Sequence, residues 1–584
     1  MCQSLDARIS SDSDGRRTWL WRVLPAIVIV AVTAAAYAPA IGAGFIWDDD
    51  SYVTDNPVLT APDGLSRIWF HPGSTPQYYP LVFTTLRLEY RLWGLRPPGY
   101  HAVNILLHAV GAVLLWRVLA FLRVPGAWAA ALIFAVHPVQ VESVAWVTEL
   151  KNVLSGVFYL AALWAGLKFY TGAESGRRRW TLYAGSLLLF ACALFSKTVT
   201  CSLPAAILLI LWWRQGRVSR KEALTLAPFF ILGMLLALNT VAMESRLVAG
   251  GGGEDWNLSF LQRSLIAGRA LWFYAVKLAW PVSLTFVYPR WEVDARVAWQ
   301  YLFPIAALAV LAALWLLRHR LGRGPLAAAL FFTLTLSPAL GFINVFPMRY
   351  SFVADHFQYL AGIGLIVLAA ATVAAWRPAR GIPAILLCAA AVTACGALTW
   401  RQTAAYRDAE TLWRDTIAKN PSAPIAQDNL GDVLVDKSMQ ESSPIKVAEL
   451  LSEAVKCFDR AVELKPDDFV AYNDRGRAYA RMRQYGLAIR DYDKAIALKP
   501  DLSQAYNNRG NAYLHMRRLD LAIGDYNTAL ALNPDFAEVH NNRALAYFLM
   551  REYDKALADL KALEMAGGHP DPEFLRLLRQ ARGG

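Results

Sequence analysis

Long apolar stretches in residues 1–400 limit what this chain can fold into more than any other feature. A membrane-spanning helix needs about 20 mostly apolar residues. Lipid offers the backbone no hydrogen-bond partner, so such stretches must be helical. We therefore predict an all-α, polytopic membrane helix bundle over residues 18–400. Its candidate spans lie near residues 20–42, 101–121, 126–146, 152–170, 181–197, 199–213, 223–243, 264–286, 298–317, 326–345, 357–375 and 382–400.

Basic residues predict the direction in which these helices run. Residues 1–400 hold 32 basic and 19 acidic residues, whereas residues 401–584 hold 26 and 27. Cationic loops face the cytoplasm, and their alternation holds if 264–286, which contains Arg269 and Lys277, does not cross the membrane. This predicts about eleven spans, a cytoplasmic segment 1–17, a first outer loop 43–98, and an outer location for everything after residue 401. Twelve spans with a cytoplasmic tail are the alternative.

Composition excludes two further classes of protein. The basic surplus lies in the apolar part of the chain and not on one face of a polar domain, so we expect no nucleic-acid partner. The six cysteines form no CxxC pair or regular framework, so neither a disulfide scaffold nor a zinc site is indicated. Richness in Ala, Arg and Gly points to a bacterium with a GC-rich genome, and hence to the inner membrane with the outer loops in the periplasm.

A 34-residue period appears in the polar C-terminal part. Pro466, Pro500 and Pro534 are in phase with repeated alanines, tyrosines and glycines. This is the pattern of tetratricopeptide (TPR) repeats, in which small residues allow close helix packing and proline follows the second helix. We predict a TPR α-solenoid over residues 401–584. Clear repeats occupy about 467–570, and a degenerate unit at about 409–466 carries an insertion near residues 438–448.

Asparagines recur at equivalent positions of these repeats: Asn473, Asn507, Asn508, Asn541 and Asn542. An amide both donates and accepts hydrogen bonds, so a ladder of exposed asparagines would hold the backbone of an extended acceptor peptide. The alternative is that these residues follow the repeat consensus and only solvate the helix.

Three adjacent carboxylates, Asp48, Asp49 and Asp50, follow the first span directly. Their mutual repulsion raises at least one pKa, and a carboxylate with a raised pKa at the membrane surface suits a general base. A solvated loop and a cation site are the alternatives.

Several patches carry a resemblance to a known family. They are Phe45, Asp48, Asp49 and Asn56; Tyr79–Leu81, Arg87 and Tyr90; Gly99–His108; His137–Trp146 with Glu149–Asn152; Ser196–Thr198; and Ala354–Leu360. With the TPR tail they resemble the TMTC (transmembrane and TPR-containing) family of O-mannosyltransferase-like proteins, and more broadly the GT-C glycosyltransferase fold. Two positions depart from the pattern: Thr198 stands where Glu is usual, and His356 where Arg is usual.

The resemblance implies an inverting transferase that moves a mannose-like hexose from a polyprenyl-phosphate donor to a Ser or Thr hydroxyl of a protein outside the cytoplasm. It implies Asp48 as the catalytic base, with Asp49 the second choice. Candidates for the donor phosphate and sugar are Lys197, Arg349, His356, His137, Glu142 and Arg87. Alternatively, Lys197 and Arg349 only extend their charged ends to the membrane surface (snorkelling). The alternative role of His137 is to cap the end of a helix.

Membrane lipid, the lipid-linked donor and a protein acceptor held by the TPR groove are the expected partners. No cofactor is required on this interpretation, and a divalent metal is possible without being indicated. Two other functions fit the same sequence. One is a catalytically inactive membrane anchor whose TPR array serves as a scaffold for envelope complexes. The other is a polysaccharide polymerase or ligase, although its largest outer loop would be expected late in the membrane domain.

Overall fold

The computed structural model describes residues 15–250, 258–376 and 381–583. Within these ranges the chain forms helices and no strand, which confirms the all-α prediction. Most of the expected cytoplasmic segment 1–17 lies outside the described residues. The chain divides into two compact units, residues 1–412 and residues 413–584.

The first unit contains the apolar helices. These are α1 (Gly15–Ala36), α2 (Gly64–Phe70), α3 (Pro80–Trp93), α4 (Pro97–Phe121), α5 (Ala127–Val136), α6 (Val141–Ala145), α7 (Leu150–Thr171), α8 (Gly176–Ser196), α9 (Leu203–Gln215), α10 (Arg220–Thr225), α11 (Ala227–Gly250), α12 (Phe260–Ala279), α13 (Leu302–Leu316), α14 (Arg318–Leu321), α15 (Gly324–Leu336), α16 (Gly362–Ala375) and α17 (Ile382–Thr403).

Six described helices are long and apolar enough to cross a membrane: α4, α7, α8, α11, α13 and α17. Helices α5 and α6 count as a seventh crossing if they are taken together, with a bend of 53° between them. Pro138 follows α5 closely and disfavours its continuation. Shorter apolar helices cover Val23–Ala36, Gly324–Ala339 and Gly362–Ala375. A bundle of apolar helices is therefore confirmed, and the path with eleven spans stays a prediction.

Helix α12 covers most of the segment that we expected not to cross, and it is not among those six helices. Its two cations interact with the protein itself. The Arg269 guanidinium lies 4.4 Å from the centre of the Trp291 ring, and the Lys277 ammonium donates to the Val282 carbonyl at 2.7 Å. These contacts stabilise the two positive charges, which would be costly at the bilayer centre.

The second unit is a stack of helix pairs. Its helices are α18 (Ala409–Lys419), which begins just before the unit, α19 (Pro424–Gln440), α20 (Pro444–Leu464), α21 (Phe469–Arg481), α22 (Tyr485–Leu498), α23 (Ser503–His515), α24 (Leu519–Leu532), α25 (Ala537–Leu549), α26 (Tyr553–Met565) and α27 (Pro572–Gly583). The predicted prolines lie in the turn after α20, α22 and α24, as their missing N–H requires.

The repeated glycines allow the two helices of each repeat to touch. A Cβ at Gly476 would lie 2.6 Å from the Tyr492 ring, and one at Gly510 would lie 2.7 Å from the Tyr526 ring. The next repeat has Ala544 at this position, and the residue equivalent to the tyrosine is there the smaller Leu560. The larger side chain of Ala544 is therefore accommodated by a smaller residue, Leu560, on the facing helix.

The predicted insertion in the first repeat lengthens its helices. Helix α19 has 17 residues where α21 has 13, and α20 has 21 residues where α22 has 14. The inserted residues therefore add turns to an existing helix pair and do not form a separate loop.

Candidate functional site

The site begins at a strained turn in the first outer loop. Trp47 has a φ of 45°, in the left-handed region that disfavours bulky side chains. Its ring stacks on Trp146 at 5.6 Å and meets the edge of Phe286 at 5.2 Å. These contacts hold the turn and place the two following aspartates in different environments.

Asp49 is buried and joins the predicted first outer loop to residues 137–152, which the family resemblance makes the second outer loop. Its carboxylate accepts hydrogen bonds from the Ile46 N–H at 2.9 Å, the Thr148 N–H at 2.8 Å and the Thr148 hydroxyl at 2.6 Å. Burial raises the pKa of Asp49 to about 7, although these three donors favour the ionised form. Because both carboxylate oxygens are occupied, Asp49 is poorly placed to take a proton from a substrate.

Asp48 is half-buried, and its carboxylate accepts no hydrogen bond within the described part of the chain. Burial raises its pKa, with Glu149 and Asp50 adding to the rise and Lys151 and His356 opposing it. A carboxylate with free lone pairs and a raised pKa has the properties of a general base. The structure thus separates the two predicted bases by their hydrogen bonding.

Two lysines share one carboxylate beside Asp48. Glu149 is fully buried, and its oxygens lie 2.9 Å from the Lys151 ammonium and 3.3 Å from the Lys197 ammonium. Lys197 also donates to the Asn152 side-chain oxygen at 2.7 Å. This group connects the start of α7 with the end of α8.

His356 and Glu142 form a second buried pair. The Glu142 carboxylate accepts from the His356 backbone N–H at 3.0 Å and lies 2.8 Å from its Nδ1. The Asn152 amide donates to the His356 carbonyl at 3.0 Å, so this pair adjoins the lysine group. Four segments that are far apart in the sequence therefore meet near Asp48.

Three other residues that were predicted to bind the lipid-linked donor lie outside this group. Arg87 is buried and donates to the carbonyls of Val58, Leu59 and Ala61 at 2.6–2.8 Å, so it shapes the first outer loop. The His137 Nε2 lies 2.9 Å from the Leu278 carbonyl, which fits the alternative role at a helix end. Arg349 is half-buried at the end of a single helical turn.

Glu89, two residues after Arg87 on α3, predicts a pH dependence of stability. Burial raises its pKa from 4.5 to about 8, so the folded state binds a proton that the unfolded state releases. Stability should therefore fall as pH rises through this window. The Glu89→Gln variant should show a smaller fall in its thermal denaturation midpoint between these pH values. An equal fall in the variant and the wild type would contradict this assignment.

Sequence reasoning did not select Thr148, Glu149, Lys151 and Asn152 as site residues. A signal was present, because this polar run directly precedes a predicted span and belongs to a family-like patch. The contacts of Glu149 and Asn152 with Lys197, and of Thr148 with Asp49, join distant segments, which a local pattern does not reveal.

The expectation that the repeated asparagines are exposed is wrong for two of them. Asn473 is 4% exposed and Asn507 is 1% exposed. Their side-chain oxygens accept from the amides of Asn508 and Asn542 in the next repeat, at 3.0 and 3.1 Å. Buried amides must be hydrogen-bonded, and here neighbouring repeats supply the partners. The ladder therefore links repeats, and Asn541 is its half-buried member without a hydrogen bond in the described residues.

Replacing Asn507 by alanine should consequently destabilise the array, by about 1 kcal/mol, because Asn542 loses its acceptor. Hydrogen exchange of the full chain should show faster exchange in α23 and α25. The matched control is Asn541→Ala, at the equivalent position of the next repeat, which should leave exchange unchanged. Equal exchange in both variants would mean that the ladder is not structural.

A second periodic contact joins the two helices of each repeat. Arg475, Arg509 and Arg543 each form paired hydrogen bonds with an aspartate 16 residues later, at 2.6–2.9 Å. Arg475 also bonds Asp459 of the preceding repeat at 2.9 Å. The 34-residue spacing of these arginines in the sequence indicates a contact that each repeat makes in the same way.

The fold and the site together define a class: a helical membrane protein with a polar site at its first outer loop and a C-terminal TPR array. Models of the tetratricopeptide repeat match residues 469–502, 503–536 and 525–558. The chain is similar to transmembrane and TPR-containing (TMTC) proteins, which confirms the predicted resemblance.

Two of these relatives carry the name protein O-mannosyl-transferase TMTC3. The Mus musculus protein is 39% identical over 145 residues, which are 23% of this chain and 16% of that protein. The Homo sapiens protein is 24% identical over 529 residues, 78% of this chain and 53% of its own length. The chain thus spans about half of the human relative. The solved structure of MamA covers 27% of this chain at 22% identity, with a TM-score of 0.24.

Proposed function

We propose that the chain is a membrane glycosyltransferase that moves a mannose-like hexose from a polyprenyl phosphate to a Ser or Thr hydroxyl of a protein. The observation that carries this proposal is the Asp48 carboxylate, which is half-buried, accepts no hydrogen bond within the described residues and interacts electrostatically with Lys151 and His356. The names of the TMTC relatives support the same reaction class.

In the proposed reaction the acceptor hydroxyl oxygen attacks the anomeric carbon, and Asp48 takes the hydroxyl proton. The bond between that carbon and the phosphate oxygen breaks, and its electron pair leaves with the polyprenyl phosphate. Attack from the face opposite the leaving group inverts the anomeric centre. Asp49 acts on this step only through the loop geometry that it fixes, so it is a positioning residue.

Acceptor proteins would bind the TPR array. The groove-lining candidate that remains from the asparagine ladder is Asn541, because Asn473 and Asn507 are committed to contacts between repeats. The array would raise the local concentration of acceptor near the membrane.

Comparison of exported proteins from cells with and without this gene tests the function. Mass spectrometry should find Ser- or Thr-linked hexose that disappears with the gene and returns with the wild-type copy. Unchanged glycosylation together with the loss of an envelope complex would support the scaffold function. A changed surface polysaccharide would support the polymerase or ligase.

We also propose an inner-membrane location with the TPR unit on the periplasmic side. A reporter that is active only outside the cytoplasm, fused after Gly584, should then be active, because eleven spans place the two ends of the chain on opposite sides. An inactive reporter in a stably expressed fusion would contradict this topology.

A further inference from the structure

The pair of lysines on Glu149 is unusual for a buried site. One carboxylate with no exposed surface faces two ammonium groups, at 2.9 and 3.3 Å. Burying a charge is costly unless an opposite charge compensates it. Lysine side chains are ordinarily charged at neutral pH, with a usual pKa of about 10.4. The group therefore carries one positive charge more than Glu149 compensates.

Neighbouring carboxylates do not permanently compensate this additional positive charge. Glu142 is engaged by His356, and Asp49 by Thr148 and the Ile46 N–H. Asp48 is the remaining carboxylate whose charge acts on Lys151. In the proposed reaction Asp48 becomes neutral when it accepts the hydroxyl proton, so Lys151 and Lys197 then share the single negative charge of Glu149.

The leaving group gains a negative charge in the same step. The donor phosphodiester carries one negative charge, and cleavage of its bond to the sugar leaves a phosphate monoester with a second. The positive charge of Lys151, no longer opposed by a charged Asp48 at that moment, matches the charge that develops on the phosphate.

We propose that Lys151 and Lys197, held by Glu149, form the binding site for the phosphate of the donor lipid, and that Lys151 stabilises the charge developing on the leaving phosphate. This inference rests on the proposed function. It adds Lys151, which faces Asp48, as a residue in contact with the donor, and Glu149 as the positioning residue of both lysines.

Two rings hold Lys151 at its position. Its ammonium lies 5.3 Å from the centre of the Tyr52 ring and 5.6 Å from that of Trp146. Tyr52 belongs to the first outer loop and Trp146 precedes α7, so Lys151 sits between the two outer loops. An ammonium has three donors, and Lys151 forms an ion pair with Glu149 at 2.9 Å, so donors are available for a phosphate oxygen.

Binding of a polyprenyl phosphate without sugar to the purified full-length chain tests the site. Lys151→Met and Lys197→Met should each weaken binding about ten- to a hundredfold, the effect of losing a hydrogen bond between charged groups. Lys277→Met is the matched control, because Lys277 donates to carbonyls at the end of α12, and it should bind as the wild type does. Inorganic phosphate should bind far more weakly, since it lacks the lipid.

The pH dependence of transfer separates a contact with the reaction from a structural role. Lys151 lowers the pKa of Asp48, while His356 acts in the same direction and Glu149 and Asp50 oppose both. The acid limb of the profile should therefore move to higher pH in Lys151→Met and stay in place in Lys197→Met. Lys151→Arg keeps the charge and should restore the limb.

The outcomes distinguish this inference from the proposed function. If the wild type binds polyprenyl phosphate and both methionine variants bind it equally well, the lysine site is overturned and the proposed function stands. If the wild type binds none, both fail. Should Lys151→Met not fold, Lys197→Met still tests the site, since it keeps the pair of Lys151 and Glu149.

Discussion

Replacing Glu149 by glutamine is expected to cost about 3–5 kcal/mol of folding free energy, the typical effect of removing one partner from a buried ion pair. The reason is that Lys151 and Lys197 would then lie buried without the carboxylate that pairs with both of them. The thermal denaturation midpoint of the purified chain in detergent should fall clearly.

Glu89→Gln is the matched control for this variant. Glu89 is also a buried glutamate of the first unit, and one of its oxygens lacks a hydrogen-bond partner in the described residues. Its pKa of about 8 keeps it mostly protonated at neutral pH, so glutamine should replace it at little cost. Equal destabilisation by the two substitutions would contradict the view that Glu149 compensates two charges.

Periodic features were predictable from the sequence because each repeat meets the same environment. The prolines after α20, α22 and α24 and the glycines facing Tyr492 and Tyr526 follow from helix packing within one repeat. Apolar stretches likewise indicated helices, since a single segment in lipid satisfies its backbone hydrogen bonds by forming a helix.

Helix ends were less predictable. Helix α15 ends at Leu336 and not near residue 345, and α16 begins at Gly362 and not near residue 357. Between them lie polar and irregular turns that carry His356. Hydropathy averages over such turns and does not reveal their hydrogen bonds with Glu142 and Asn152.

The candidate site was predictable in part. The aspartate run indicated the position of the chemistry, but three adjacent carboxylates gave no physical basis for different roles. The contacts of Asp49 with Thr148, 99 residues later in the chain, supply that basis. The exposure of Asn507 was misjudged for the same reason, because its partners belong to another repeat.

The second large effect is expected at Asp48. Asp48→Asn keeps the size of the side chain but removes the acceptor for the hydroxyl proton, and the loss of a general base costs about 10²–10⁴ in rate. The variant should fold normally, because the Asp48 carboxylate makes no hydrogen bond within the described residues. Asp49→Asn should instead lower the yield of folded protein, since it disturbs the two hydrogen bonds that Thr148 donates to this side chain.

Asp50→Asn is the control for local charge, because Asp50 is exposed on the same loop. It should have a mild effect on transfer. If Asp49→Asn folded normally and lost turnover while Asp48→Asn kept it, the role of base would move to Asp49.

The most direct test of the account is the rate of hexose transfer from a purified polyprenyl-phosphate hexose to a Ser- or Thr-containing acceptor, measured for the wild type and for Asp48→Asn. We expect turnover to fall by at least about a hundredfold, while binding of polyprenyl phosphate and the denaturation midpoint stay unchanged. Near-normal turnover in both Asp48→Asn and Asp49→Asn would contradict the enzyme assignment and favour the membrane-anchored TPR scaffold.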